Sequence, residues 1–118
     1  MTMSFDETPD FKHEFKRYLK KYRSLVEDLD ELKYVLKVRP LGQGRHFNVL
    51  ARQGDVSIVK ARLFCSYLKK STLRIIYACH EKESRFVFLE LYFKGDKGAE
   101  DKTRIRDYMA SPAIKNTP

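Results

Sequence analysis

Lys60 and Arg62 stand two residues apart, Tyr92 and Lys94 do the same, and Arg74 and Lys97 complete a set of five cations and a phenol. A guanidinium offers a planar fork to two phosphate oxygens, and an ammonium offers a mobile point charge. Together they would hold a phosphodiester and stabilise negative charge growing on it. The same residues would also suit a sheet edge guarded against aggregation, with ordinary ion pairs such as Lys94 to Asp96. Spacing alone leaves both readings open.

Strand periodicity turns the spacing into a face. Residues two apart on a strand point the same way, roughly 6.6 Å apart along it. Burying unpaired charge is costly, so the Lys60/Arg62 face is expected to be the open one. Around it the hydrophobic period is two. Phe47, Val49 and Ala51 alternate with polar neighbours, Gln53-Gly54-Asp55 reads as a hairpin turn, and strands are expected over 56–64, 73–79 and 86–93. Short connections favour an antiparallel meander.

Upstream the period is helical. Thr8-Pro9-Asp10 reads as a helix start, and Phe11, Phe15, Leu19 and Tyr22 follow as an apolar stripe. Ser24 to Glu27 reads as a capping box, opening a second helix with Leu25, Leu29, Leu32 and Leu36 on one face and Arg39-Pro40-Leu41-Gly42 at its end. The expected fold is α+β: an N-terminal antiparallel helical hairpin packed on one face of a small antiparallel meander sheet. A short C-terminal helix over 99–110 can dock Ile105, Tyr108 and Met109. One domain over 1–110 is expected, with a flexible tail over 111–118.

Charge is unevenly placed. The chain has 118 residues and a formal charge of +8. Residues 1–40 carry nine Lys/Arg and eight Asp/Glu, whereas residues 41–118 carry fifteen and eight. Val56 to His80 holds Lys60, Arg62, Lys69, Lys70 and Arg74 without one acid. A solvated face usually mixes signs, so a one-sign stretch points to a polyanion, here nucleic acid. Cys65 and Cys79 are too few for a disulfide framework and too far apart for a metal knuckle, and read as reduced thiols. His13, His46 and His80 are scattered without metal-ligand spacing, so no metal or other cofactor is expected. No run approaches the ~18 apolar residues of a membrane span, and the N-terminus lacks a signal-peptide stretch. The expected location is the cytoplasm, with no membrane partner.

TPDFKHEFKRYLKKYRSLVEDLDEL, then VKARL at 59–63, LRIIY at 73–77 and LELYFKGDK at 89–97, resemble in order and spacing the RelE/ParE toxin superfamily, in its RelE-like ribonuclease branch with HigB-type toxins. The resemblance covers roughly residues 4 to 106. It implies the toxin of a type II toxin–antitoxin system, a metal-independent endoribonuclease that cuts messenger RNA in the ribosomal A site. The implied partners are a cognate antitoxin, the ribosome and mRNA. In that chemistry the ribose 2′-OH attacks the adjacent phosphate and leaves a cyclic or 3′-phosphate end. By resemblance, Lys60 and Arg62 match the family's basic pair on the middle strand, Arg74 the arginine opening the next, and Lys94 and Lys97 the basic positions after the last. Tyr92 joins them as the nearest phenol, and Arg45, Lys69 and Lys70 are assigned to RNA binding. With no suitable histidine expected, a lysine whose pKa is pushed down by its cationic neighbours would serve as base. Leu73 occupies a position where many relatives carry glycine. Alternatives from other classes are a ParE-like gyrase inhibitor and a catalytically inactive binding module.

Overall fold

The structure, a computed structural model, describes residues 3–42, 44–68 and 71–111. Lys69, Lys70 and the expected tail beyond Ser111 lie outside the described residues. In chain order the elements are β1 (Ser4–Glu7), α1 (Pro9–Leu19), α2 (Leu25–Val38), β2 (Phe47–Gln53), β3 (Val56–Phe64), β4 (Thr72–His80), β5 (Arg85–Phe93) and α3 (Lys102–Met109). The strands form one sheet in the order β1-β5-β4-β3-β2. β2 to β5 are the antiparallel meander that the alternation predicts. β1 is an addition: it lies parallel to β5, Ser4 opposite Arg85 and Glu7 opposite Phe88. Four residues before a helix cap carry too little periodicity to announce an edge strand.

Local chemistry sets the helix ends. Thr8 Oγ1 accepts from the Phe11 amide at 3.2 Å and Pro9 fills the first turn, as a cap followed by proline requires. Ser24 behaves otherwise. Its hydroxyl donates to Asp28 Oδ2 at 2.7 Å and makes no cap to the backbone, so the expected capping box is replaced by a serine–aspartate pair one turn apart.

α1 and α2 cover one face of the sheet. Phe11, Tyr22, Leu25, Leu29, Leu32 and Leu36 pack there on Leu63, Leu73, Ile75, Tyr77, Phe86 and Phe88. Full burial of each such side chain contributes about 1.5–3 kcal/mol. Tyr77 is wholly buried, and its hydroxyl donates to the Pro40 carbonyl at 2.9 Å, tying the end of α2 to the sheet. Tyr18, off the expected stripe, ties α1 to the end of β5: its hydroxyl accepts from the Phe93 amide and donates to Asp96 Oδ2, both at 3.1 Å.

The second face is shared. Ile105, Tyr108 and Met109 of α3 dock on Val56, Ile58, Ile76, Ala78, Val87 and Leu89, as their spacing predicts. A bulge in β5 changes which of its residues join each face. Ile76 faces Glu90 and Tyr77 faces Phe88, so Leu89 is extra in the ladder. One added residue reverses the alternation, and so Leu91 joins Phe86 and Phe88 in the helical-hairpin core while Tyr92 joins Val87 and Leu89 on the other face. Arg104 fastens α3 there, donating to the Leu89 carbonyl at 2.9 Å and pairing with Glu14 of α1 at 3.0 Å. α3 covers only part of this face. The part carrying Lys60 and Arg62 stays open.

Candidate functional site

Register places the charged residues. Arg62 lies opposite Arg74 on β4, and Arg74 lies opposite Tyr92 on β5. Facing residues of an antiparallel pair project to the same side, so these three form a row across the open face. Like charges set directly opposite one another are destabilising, and such a pair is best accommodated where an anion comes between them. Asn48 of β2 faces Lys60, one step further along β3. These side chains border a cleft of about 250 Å³, reached also by Lys94 and by Arg45 from the loop before β2.

Each cation is held differently. Arg74 is half-buried, and its Nη1 donates to the Thr72 carbonyl at 3.1 Å and to the Thr72 hydroxyl, which aims the fork. Arg62 and Lys94 are exposed and form no ion pair among the described residues. The Lys94–Asp96 pair is therefore not made, and Asp96 instead accepts from Tyr18. Lys60 is the opposite case. Its Nζ lies 2.9 Å from Glu100 Oε1, and that bond outweighs burial and lifts the ammonium above the ordinary lysine value. Glu100 is correspondingly held below the usual carboxylate range, chiefly by its bond to Lys60. For Lys60 this runs against the expected neutral lysine base. Lys60 stays charged because a loop carboxylate, unseen in strand spacing, sits beside it.

Lys97 is not brought into the cleft. Its ammonium bonds the buried Glu90 carboxylate and lies 5.6 Å from the centre of the Tyr92 ring. Glu90 also accepts from the Asp101 amide at 2.8 Å, so it organises the approach to α3 and draws Lys97 with it. Tyr92 is 2% exposed, and its hydroxyl has no hydrogen-bond partner among the described residues. Burial pushes its pKa up, and the nearby Lys60 ammonium opposes the rise without reaching hydrogen-bonding geometry. A buried unpartnered hydroxyl is costly unless a bound group satisfies it.

The sequence reading missed His46. It borders the same cleft, its Nδ1 is buried without a partner among the described residues, and its ring meets Phe64 edge-on at 5.1 Å. A lone histidine after Gly44-Arg45 carries no motif. Only the hairpin pairing of Phe47 with Ala61 and the bond from the Arg62 amide to the His46 carbonyl, 3.0 Å, bring it to Lys60 and Arg62. Leu73 faces away from the cleft and is wholly buried in the helical-hairpin core, so its side chain does not crowd the cations. Among the described residues, no three His, Cys, Asp or Glu gather as a metal site.

No family model and no curated protein matches this chain. A solved structure does: the archaeal RelE–RelB complex from Pyrococcus horikoshii OT3, with a TM-score of 0.61 and 20% identity over 80% of this chain and 98% of that one. The chain therefore has a RelE-like fold.

Proposed function

We propose that this chain is the cytoplasmic toxin of a type II toxin–antitoxin pair, a metal-independent endoribonuclease that cuts messenger RNA in the ribosomal A site. The observation that carries the reading is the row Arg62–Arg74–Tyr92 beside Lys60 on the open face of a RelE-like sheet. The fold alone does not select a reaction. The row supports this one, because it concentrates phosphate forks and donors where an RNA strand can lie.

The reaction follows from the residue types. The ribose 2′-oxygen attacks the adjacent phosphorus, its proton passes to His46, and the P–O5′ bond breaks as the leaving 5′-oxygen takes a proton from Lys60 or Tyr92, which solvent later restores. The products are a 2′,3′-cyclic phosphate and a 5′-hydroxyl. Imidazole is the group in the cleft with one ring nitrogen to accept a proton and another to donate one. Arg62 and Arg74 hold the non-bridging oxygens and stabilise the phosphorane's extra charge. Lys60 remains charged and Tyr92 remains protonated, so both offer donors to the leaving 5′-oxygen. A cognate antitoxin covering this basic face would neutralise it, and the neighbour's structure is itself a RelE–RelB complex. Exposed cations such as Arg62 and Lys94 suit steering of that partner and of RNA alike.

The test is transcript-end mapping in a reconstituted translation system, with and without initiation. Cuts confined to translated codons support the reading. Equal cutting of naked RNA removes the ribosome from it, and intact transcripts in both arms remove the nuclease.

A further inference from the structure

Arg62 and Arg74 also border a second hollow, of about 660 Å³, that continues past them in the direction of Phe64. Its other walls are Asp28 and Glu31 of α2 and the individual residues Ser66, Leu68, Ser71 and Thr72. The size lies within the range of small-molecule sites. Three features of its lining differ in kind from the cationic cleft. Phe64 is 58% exposed, two residues from Arg62 on the same strand face, with one ring edge held by His46. Asp28 is buried and already satisfied, accepting from Ser24 at 2.7 Å and from Ser66 at 3.2 Å. Glu31 is exposed and forms no ion pair among the described residues, although two arginines share its hollow.

We propose that this hollow is a guanine subsite, in which Phe64 stacks the base, Glu31 accepts from its N1–H and N2–H donors, and the scissile phosphate held by Arg62 and Arg74 is the one attached to that nucleotide. The inference rests on the ribonuclease reading and deepens it. An ionised carboxylate is acceptor-only, with two oxygens side by side. Guanine alone among the RNA bases presents two adjacent donors on its Watson–Crick edge. Adenine and cytosine set a bare ring nitrogen beside their amino group, which a carboxylate repels, and uracil flanks its one donor with carbonyls. The carboxylate also keeps a phosphate from entering this end. The strand is thereby oriented with phosphate on the arginines and base against α2. Exposed aromatic rings beside a cationic track are the usual platform for unpaired bases.

The experiment uses short fluorescein-labelled 2′-O-methyl oligoribonucleotides, uridine throughout with one guanosine or one adenosine. Methylation blocks the attacking oxygen, so binding is read by anisotropy without cleavage. The wild-type protein is expected to prefer the guanosine probe by about 10-fold. Glu31→Gln, at an exposed position, is expected to lose that preference while retaining adenosine-probe affinity. Phe64→Ala is expected to weaken both probes by about 10-fold or more. Equal wild-type affinity for the two probes, a preference that survives in Glu31→Gln, or no measurable binding overturns the subsite. Cleavage of unmethylated transcripts is scored separately. A guanosine preference without cleavage keeps the subsite and removes the nuclease, and cleavage without preference does the reverse.

Discussion

Arg74→Ala separates catalysis from architecture because the side chain has almost no structural duties. Among the described residues its hydrogen bonds run to Thr72, two positions back on the same strand, and it stands opposite a second arginine whose charge it repels. Truncation therefore removes a local bond and relieves a like-charge contact. The net effect on folding is expected within about 0.5 kcal/mol, a melting temperature within roughly 4 °C of wild type. The effect on rate is of another order. A donor aimed at transition-state charge in a partly dry cleft is worth about 3–4 kcal/mol, which is ~100–1,000-fold. Arg74→Lys keeps the charge and loses the fork, so its rate falls between the two. The assay is single-turnover cleavage on programmed ribosomes, with thermal melts of the same preparations. A folded Arg74→Ala protein that cleaves at the wild-type rate refutes the reasoning. So does loss of fold in parallel with loss of rate, because Arg74 would then be structural.

Further expectations concern the groups around it. Glu100 has a depressed carboxyl pKa in the folded chain, so its contribution is present above the ordinary carboxylate value and lost as pH falls through the folded one. Acid titration should show stability lost over that window in the wild type and little of that loss in Glu100→Gln. His80 is buried, and its pKa is lowered mainly by burial. The unfolded chain therefore binds the proton first, and stability falls as pH drops below about 6.5. Its Nε2 lies 2.6 Å from the Tyr108 hydroxyl, so Tyr108→Phe should cost about 1 kcal/mol and raise amide exchange along α3. Cys79 is buried, with its thiol pushed up to about 11, and Cys65 is raised for the same first cause. Neither should react with iodoacetamide at pH 8 until the chain unfolds, and rapid native labelling would contradict their burial.

Periodicity revealed the parts that repeat. The leucines of α2, the alternation of β2 to β5 and the docking residues of α3 all follow from burial at periods of 3.6 or 2. It also placed Lys60 and Arg62 on the open face, because an unpaired charge cannot face a helical core. Features that break a period stayed hidden. The bulge at Leu89 reverses the faces of β5 in a run too uniformly apolar to show it, and β1 is too short. Ion pairing was equally silent. Lys60 and Lys97 look alike in the sequence, yet Glu100 meets one in the cleft and Glu90 draws the other out of it. His46 was illegible because its neighbours in space come from another strand.

The chemistry of the cut ends tests the central claim most directly. Digestion products from programmed ribosomes can be weighed by mass spectrometry, alongside a transcript carrying a 2′-deoxy nucleotide at the scissile position. Attack by the 2′-oxygen predicts a 2′,3′-cyclic or 3′-phosphate upstream, a 5′-hydroxyl downstream, and no cut at the deoxy site. A 3′-hydroxyl with a 5′-phosphate, or cleavage undiminished by the deoxy substitution, contradicts it.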